Sequence, residues 1–161
     1  MKPHASIILG IDPGIADTGF GVVCLEKNKF ACQVYGSIKT SAKIEVAERL
    51  EIIHEELTKI IKKYRPGLIA IEKLYFCKNV RTAMVVGQAR GIMLLCAQQH
   101  KIPIVEFTPL QVKQAVSSYG AADKMQVQRM VKLLLSLKEI PKPDDAADAL
   151  AIAICAANIK F

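Results

Sequence analysis

The segment KPDDAADALAIAI, residues 142–154, sets three aspartates at the head of a run that is otherwise apolar. Ala146, Ala147, Leu150, Ile152 and Ile154 read as a helix built for a protein interior, yet Asp145 and Asp148 stand one turn apart on one face of it. A carboxylate in such surroundings must be paired, protonated or bound to a metal, because an isolated buried charge is costly. Two further acids raise the same question: Glu72 interrupts the apolar run LIAIEKLY, and Asp12 closes SIILGID just before Pro13-Gly14. Two strands and a helix end can bring all four together. Carboxylates that cannot neutralise one another require cations, and ligands made only of oxygen favour Mg2+ or Mn2+. Two such ions, roughly 3.5–4 Å apart, would suit phosphoryl chemistry by clamping the attacking and leaving oxygens.

Taken singly, each acid admits a plainer role. Asp12 before Pro-Gly fits a turn, Asp145 in a first helical turn complements the helix dipole, and Glu72 can pair with a lysine. Asp144 reads as a helix N-cap. Glu72 and Asp148 resist such roles most, because their flanks are so apolar.

The elements that must position these residues follow from the hydrophobic pattern. SIILGID (6–12) is a compact run expected to form a central strand buried on both sides. Residues 18–28 and 29–40 read as two more strands joined by a tight turn at Asn28-Lys29. Val46, Leu50, Ile53, Leu57, Ile60 and Ile61 recur at helical spacing within 43–64, and Pro66-Gly67 ends that helix. A strand at 68–75, a long helix at 81–100 and a strand at 102–109 come next, then helices at 109–119, 123–137 and 144–158. Three antiparallel strands followed by alternating helix and strand predict an α/β layer fold on a mixed sheet. Neither repeat nor linker is evident, so residues 1–161 are expected to form one domain. The long helix is centred on AMVVGQARGIMLL, where Gly87 and Gly91 lie one turn apart. Each costs roughly 1 kcal/mol of helix stability relative to alanine, which calls for a packing reason. The close neighbour is either the sheet or a second copy of the helix.

Composition bounds the rest. A chain of 161 residues, 52% of them hydrophobic, can bury a core and needs only one domain. No apolar run reaches bilayer-spanning length. The opening apolar segment meets Asp12 and Pro13 too early for a signal peptide, so a cytoplasmic location is expected. Five cysteines without a CxxC pair suggest free, mostly buried thiols, not disulfides or zinc. The net charge of +7 is uneven: residues 57–142 sum to +11, and the segments before and after each sum to −2. That middle suits a polyanion, although a solvated basic face would look the same.

The motifs ILGIDPGIADTGFGVV, AIEKLYFCKN, GQARG, VKQAV, DKMQVQRMV and DDAADALAIAI stand in the order and spacing of the RuvC family of Holliday junction resolvases. The chain resembles that family over essentially its whole length. The resemblance implies a ribonuclease H-like fold, with a mixed five-stranded sheet carrying helices on both faces. It implies a homodimer that resolves four-way DNA junctions by paired symmetric nicks, leaving 5′-phosphate and 3′-hydroxyl ends, in homologous recombination and repair. Two Mg2+ ions per active site are implied, with Mn2+ as a substitute, as is partnership with the RuvA–RuvB branch-migration complex. The family's catalytic, metal-binding carboxylates fall on Asp12, Glu72, Asp145 and Asp148. The position of Asp145 is the most permissive, being histidine in some relatives. The aromatic that stacks on DNA near the junction falls on Tyr75, beside Phe76, though Tyr75 also fits a strand-end core position. DNA-contacting basic residues match Lys113 and Lys124, and KNVR adds Lys78 and Arg81. Helix 81–100, through Met84, Gly87 and Gly91, is implied in the dimer interface.

Three rival readings share features of this sequence. Actin-like ATPases and sugar kinases carry a loop like GIDPG but need two such domains around a nucleotide. A resolvase-like family of ribosomal RNA processing opens similarly but lacks segments matching GQARG and VKQ. A module that binds junctions without cutting them would not need the intact carboxylates.

Overall fold

The computed structural model describes residues 6–27, 29–74 and 80–158, apart from the side chain of Arg81. Five strands are present: β1 (Ser6–Asp12), β2 (Asp17–Glu26), β3 (Lys29–Lys39), β4 (Leu68–Glu72) and β5 (Ile104–Phe107). Five helices accompany them: α1 (Val46–Tyr64), α2 (Val80–Gln99), α3 (Pro109–Ser117), α4 (Lys124–Leu134) and α5 (Asp144–Ala157). The sheet order is β3-β2-β1-β4-β5. β1 pairs antiparallel with β2 and parallel with β4, β2 pairs antiparallel with β3, and β4 pairs parallel with β5. This is the mixed α/β sheet that the pattern of elements predicts.

Alternation along β1 divides the core in two. Leu9 and Ile11 pack with Ile69 and Ile71 of β4 against Ile53 and Leu57 of α1 and Met93 of α2. Ile8 and Ala70 point the other way, into a cluster with α5 and with Val112, Val116, Val127 and Val131 of α3 and α4. Helices therefore cover both faces. On the second face α5 is the inner element, buried continuously from Ala149 to Ala156.

Capping fixes the short helices. Thr108 and Gln111 form a capping box at α3, and Asp123 and Gln126 form another at α4. α1 stops at Arg65 in the left-handed conformation, immediately before Pro66. Several boundaries differ from the sequence expectation. β4 ends at Glu72 instead of residue 75, and β5 spans 104–107 instead of 102–109. α1 begins at Val46, and α4 ends at Leu134 because Ser136 turns to a φ of 51°. Asn28, half of the expected tight turn, lies outside the described residues. Of the described cysteines, Cys96 and Cys155 are buried and Cys24 and Cys32 only half-buried, all as free thiols, and Cys77 lies outside the described residues.

Candidate active site

β1 and β4 run parallel, and their last paired residues are Ile11 and Ile71. Asp12 and Glu72 come next on each strand, so both carboxylates stand at the same end of adjacent strands, pointing away from the α1–α2 face. That orientation aims them at α5.

How close α5 can come is set by glycine. Gly10 of β1 and Gly19 and Gly21 of β2 lie on the face beneath it. A Cβ at Gly10 would strike the Ala149 carbonyl oxygen and lie 2.8 Å from the Ala153 nitrogen. At Gly19 it would strike the backbone carbonyl of Asp145, and at Gly21 it would come within 2.7 Å of Leu150 Cδ2. An alanine-rich helix laid on a glycine-paved sheet thus brings its first turn down onto the strand ends. Carboxylate oxygens of Asp12, Asp145 and Asp148 consequently lie within 4.8 Å of one another.

The electrostatics of this arrangement are strained. Burial raises the Asp12 carboxyl from 3.8 to about 8, reinforced by the charges of Glu72, Asp148 and Asp145 against the opposing Lys124. Glu72 is pushed up by burial and by Asp148, with Lys113 opposing. Asp148 is pushed up by burial, Lys124 opposing and Asp145 and Asp144 adding. These acids carry more negative charge than the local lysines offset. An oxygen-only donor set in that condition fits a hard divalent cation, and Asp12, Asp145 and Asp148 would hold it. Glu72 borders the same site, in a cavity of about 240 Å³ that also takes in Lys113, Lys124 and Asp148. Among the described residues no salt bridge joins Glu72 to a lysine.

The remaining expected residues fall in several places. Lys113 lines the cavity. Lys124 is bonded to acids, its Nζ lying 3.1 Å from Asp144 Oδ2 and 3.5 Å from Asp148 Oδ2. Asp144 is not the N-cap of α5; Pro143 holds that position, and Asp144 is the first helical residue. Its side chain points instead to α4, accepting a hydrogen bond from Gln128 Nε2 at 3.1 Å. Tyr75, Phe76, Lys78 and the Arg81 side chain lie outside the described residues. Met84, Gly87 and Gly91 are exposed on α2, and a Cβ at either glycine would meet nothing within 4 Å. The sheet is therefore not the reason for those two glycines.

A profile of the family described as crossover junction endodeoxyribonuclease RuvC matches residues 8–156. The chain belongs to the RuvC family. A crossover junction endodeoxyribonuclease RuvC of Halothermothrix orenii is 57% identical over 152 residues, covering 94% of this chain and 92% of that protein. The solved structure of Thermus thermophilus RuvC superposes with a TM-score of 0.87 at 38% identity, covering 94% of this chain and 93% of that one. T. thermophilus RuvC in complex with a Holliday junction substrate gives the same TM-score of 0.87 at 36% identity, over 94% of this chain and 92% of that one. The fold is ribonuclease H-like, as the resemblance implied.

In this RuvC family member, two features of the site escaped the sequence reading. One is the glycine pavement, whose trace is Gly10 on β1 and Gly19 and Gly21 at alternate positions of β2, opposite an alanine-rich helix. The other is the link from Gln128 through Asp144 to Lys124, which has no sequence signal because it joins two helices side by side.

Proposed function

We propose that this chain is a structure-selective endonuclease that resolves four-way DNA junctions by paired symmetric nicks in recombination and repair. The observation that carries this is the convergence of Asp12, Asp145 and Asp148, with Glu72 beside them, in a RuvC family member. All four carboxylates are taken as catalytic, within a single nuclease domain spanning 1–161. Mg2+ ions, two per site and replaceable by Mn2+, would supply water activation and stabilisation of the leaving 3′-oxygen. Asp12, Asp145 and Asp148 hold and orient those ions, and Glu72 extends the donor set toward the cavity. Lys113 and Lys124 draw the scissile phosphate to the cavity mouth, a positioning contact that reads no sequence. Tyr75 is assigned to stack on an exposed base, and Phe76, Lys78 and Arg81 are assigned as further DNA contacts. The products are a 5′-phosphate and a 3′-hydroxyl.

A four-way junction has two symmetry-related strands to cut, so the working unit is a two-fold homodimer. Support comes from α2, where Val80, Met84, Gly87, Gly91 and Leu95 form one exposed stripe at helical spacing. Met84 and Val80 are 64% and 71% exposed, and the glycines would let a second backbone approach closely. Partnership with a RuvA–RuvB branch-migration complex in the cytoplasm completes the reading. Among the described residues no helix is long and apolar enough to cross a membrane.

The decisive experiment incubates the protein with Mg2+ and a synthetic four-way junction labelled on each strand in turn. Symmetric nicks with ligatable ends are expected. Binding without cutting, or a preference for structured RNA, would overturn the proposal.

A further inference from the structure

The acids at the head of α5 already hold a cation of the chain's own. Lys124 is the first residue of α4, and the Asp123–Gln126 capping box fixes where that helix begins. From there its ammonium reaches Asp148 Oδ2 at 3.5 Å and Asp144 Oδ2 at 3.1 Å. The two acceptors differ in kind. Asp148 belongs to the carboxylate triad, whereas Asp144 lies outside it and is held by the buried Gln128, whose Nε2 donates to Asp144 Oδ1 at 3.1 Å. Half of the Lys124 side chain remains exposed, at 53%, so the same ammonium can also turn toward a phosphate.

We propose that Lys124 is a tethered competitor for the metal site, bridging Asp144 and Asp148 in the DNA-free protein and giving up Asp148, for Asp144 alone or for a DNA phosphate, when metal binds. This rests on the metal site proposed above. An ammonium and a divalent ion seek the same carboxylate oxygen, and like charges this close repel. The resident lysine therefore lowers metal affinity off DNA. A phosphate that takes the lysine releases Asp148, and by reciprocity metal binding frees the lysine for phosphate. Asp144 and Gln128 are positioning residues that give the displaced ammonium somewhere to rest. Lys113 provides the contrast, because it lines the same cavity without a salt bridge to a carboxylate among the described residues.

The test is a Mn2+ titration of DNA-free protein, following the free ion by electron paramagnetic resonance and the fold by circular dichroism. Lys124→Met should tighten Mn2+ binding by about fivefold or more, the low end of ordinary coupling between sites, and by more than Lys113→Met does. Asp144→Asn should weaken binding when Lys124 is present and have much less effect in the Lys124→Met background, a non-additive pair. Unchanged or weaker binding by Lys124→Met, or equal gains from both lysine variants, would overturn the proposal. Should Lys124→Met not fold, Lys124→Gln carries the same prediction. Wild-type protein with no saturable site sensitive to Asp12→Asn would overturn the metal-site reading as well. A saturable, Asp12-dependent site indifferent to Lys124 overturns only the competitor role.

Discussion

Asp12 is the residue on which the candidate site turns, since it is the acid most raised by its surroundings. Asp12→Asn, Asp148→Asn and Glu72→Gln should each slow cutting by at least about a hundredfold, more than the loss of an outer-shell partner costs. Junction binding should survive, because removing negative charge does not weaken attraction to phosphates. Gel-shift and cleavage assays on one junction check both halves, and Asp145→Asn should lose least. A second prediction follows from the raised carboxyl. In the metal-free fold Asp12 holds its proton up to about 8 rather than 3.8, so the folded state binds more protons than the unfolded one in between. Stability is then full below about pH 4 for this group and falls as pH rises toward about 8. Denaturant melts in chelator across that range should show the decline, and Asp12→Asn should make it shallower, leaving the share due to Glu72 and Asp148. These acids were legible in the sequence because charge inside an apolar run always demands a partner. Their convergence was not legible, because it depends on how α5 lies on the sheet, which brings oxygens of Asp12, Asp145 and Asp148 within 4.8 Å of one another. The pairing of Lys124 with two of the acids was not legible, because it depends on how α4 lies beside α5.

At the scale of elements, the site depends on the distance between α5 and the sheet. Gly19→Ala sets a methyl against the Asp145 backbone, which cannot yield as a flexible side chain would. We expect it to cost about 1–3 kcal/mol, as overpacking does, and to weaken Mn2+ binding, because α5 must lift with Asp145 and Asp148. Gly67→Ala, which meets nothing within 4 Å, serves as the control in the same urea melts and titrations. Element types and order were readable from periodicity, including the buried character of β1 and α5. Strand ends were not. β4 and β5 each stop where the partner strand stops, at Glu72 and Phe107, and a sequence pattern carries no record of the partner's length. The tie of Asp144 to α4 was missed for a related reason, since its partner Gln128 sits on another helix.

At the scale of the whole molecule, the α2 stripe is an apolar face of the described residues that the sheet leaves uncovered. Gly87→Glu or Met84→Glu should yield a folded protomer that sediments as a monomer and no longer makes paired nicks. A folded dimer from both variants would refute the interface. The two explanations left open for the glycines in the sequence divide here, because neither glycine faces the sheet. One last consequence lies in the order of the chain. Asp145 and Asp148 arrive with α5, more than seventy residues after Glu72, and α5 is also the inner layer of one core. A ribosome that has not yet released α5 holds a chain with at most two of the four carboxylates and an open sheet face. If the four acids cut together as proposed, cutting ability is acquired late in synthesis, and a chain interrupted before α5 would have no means of nicking the DNA around it.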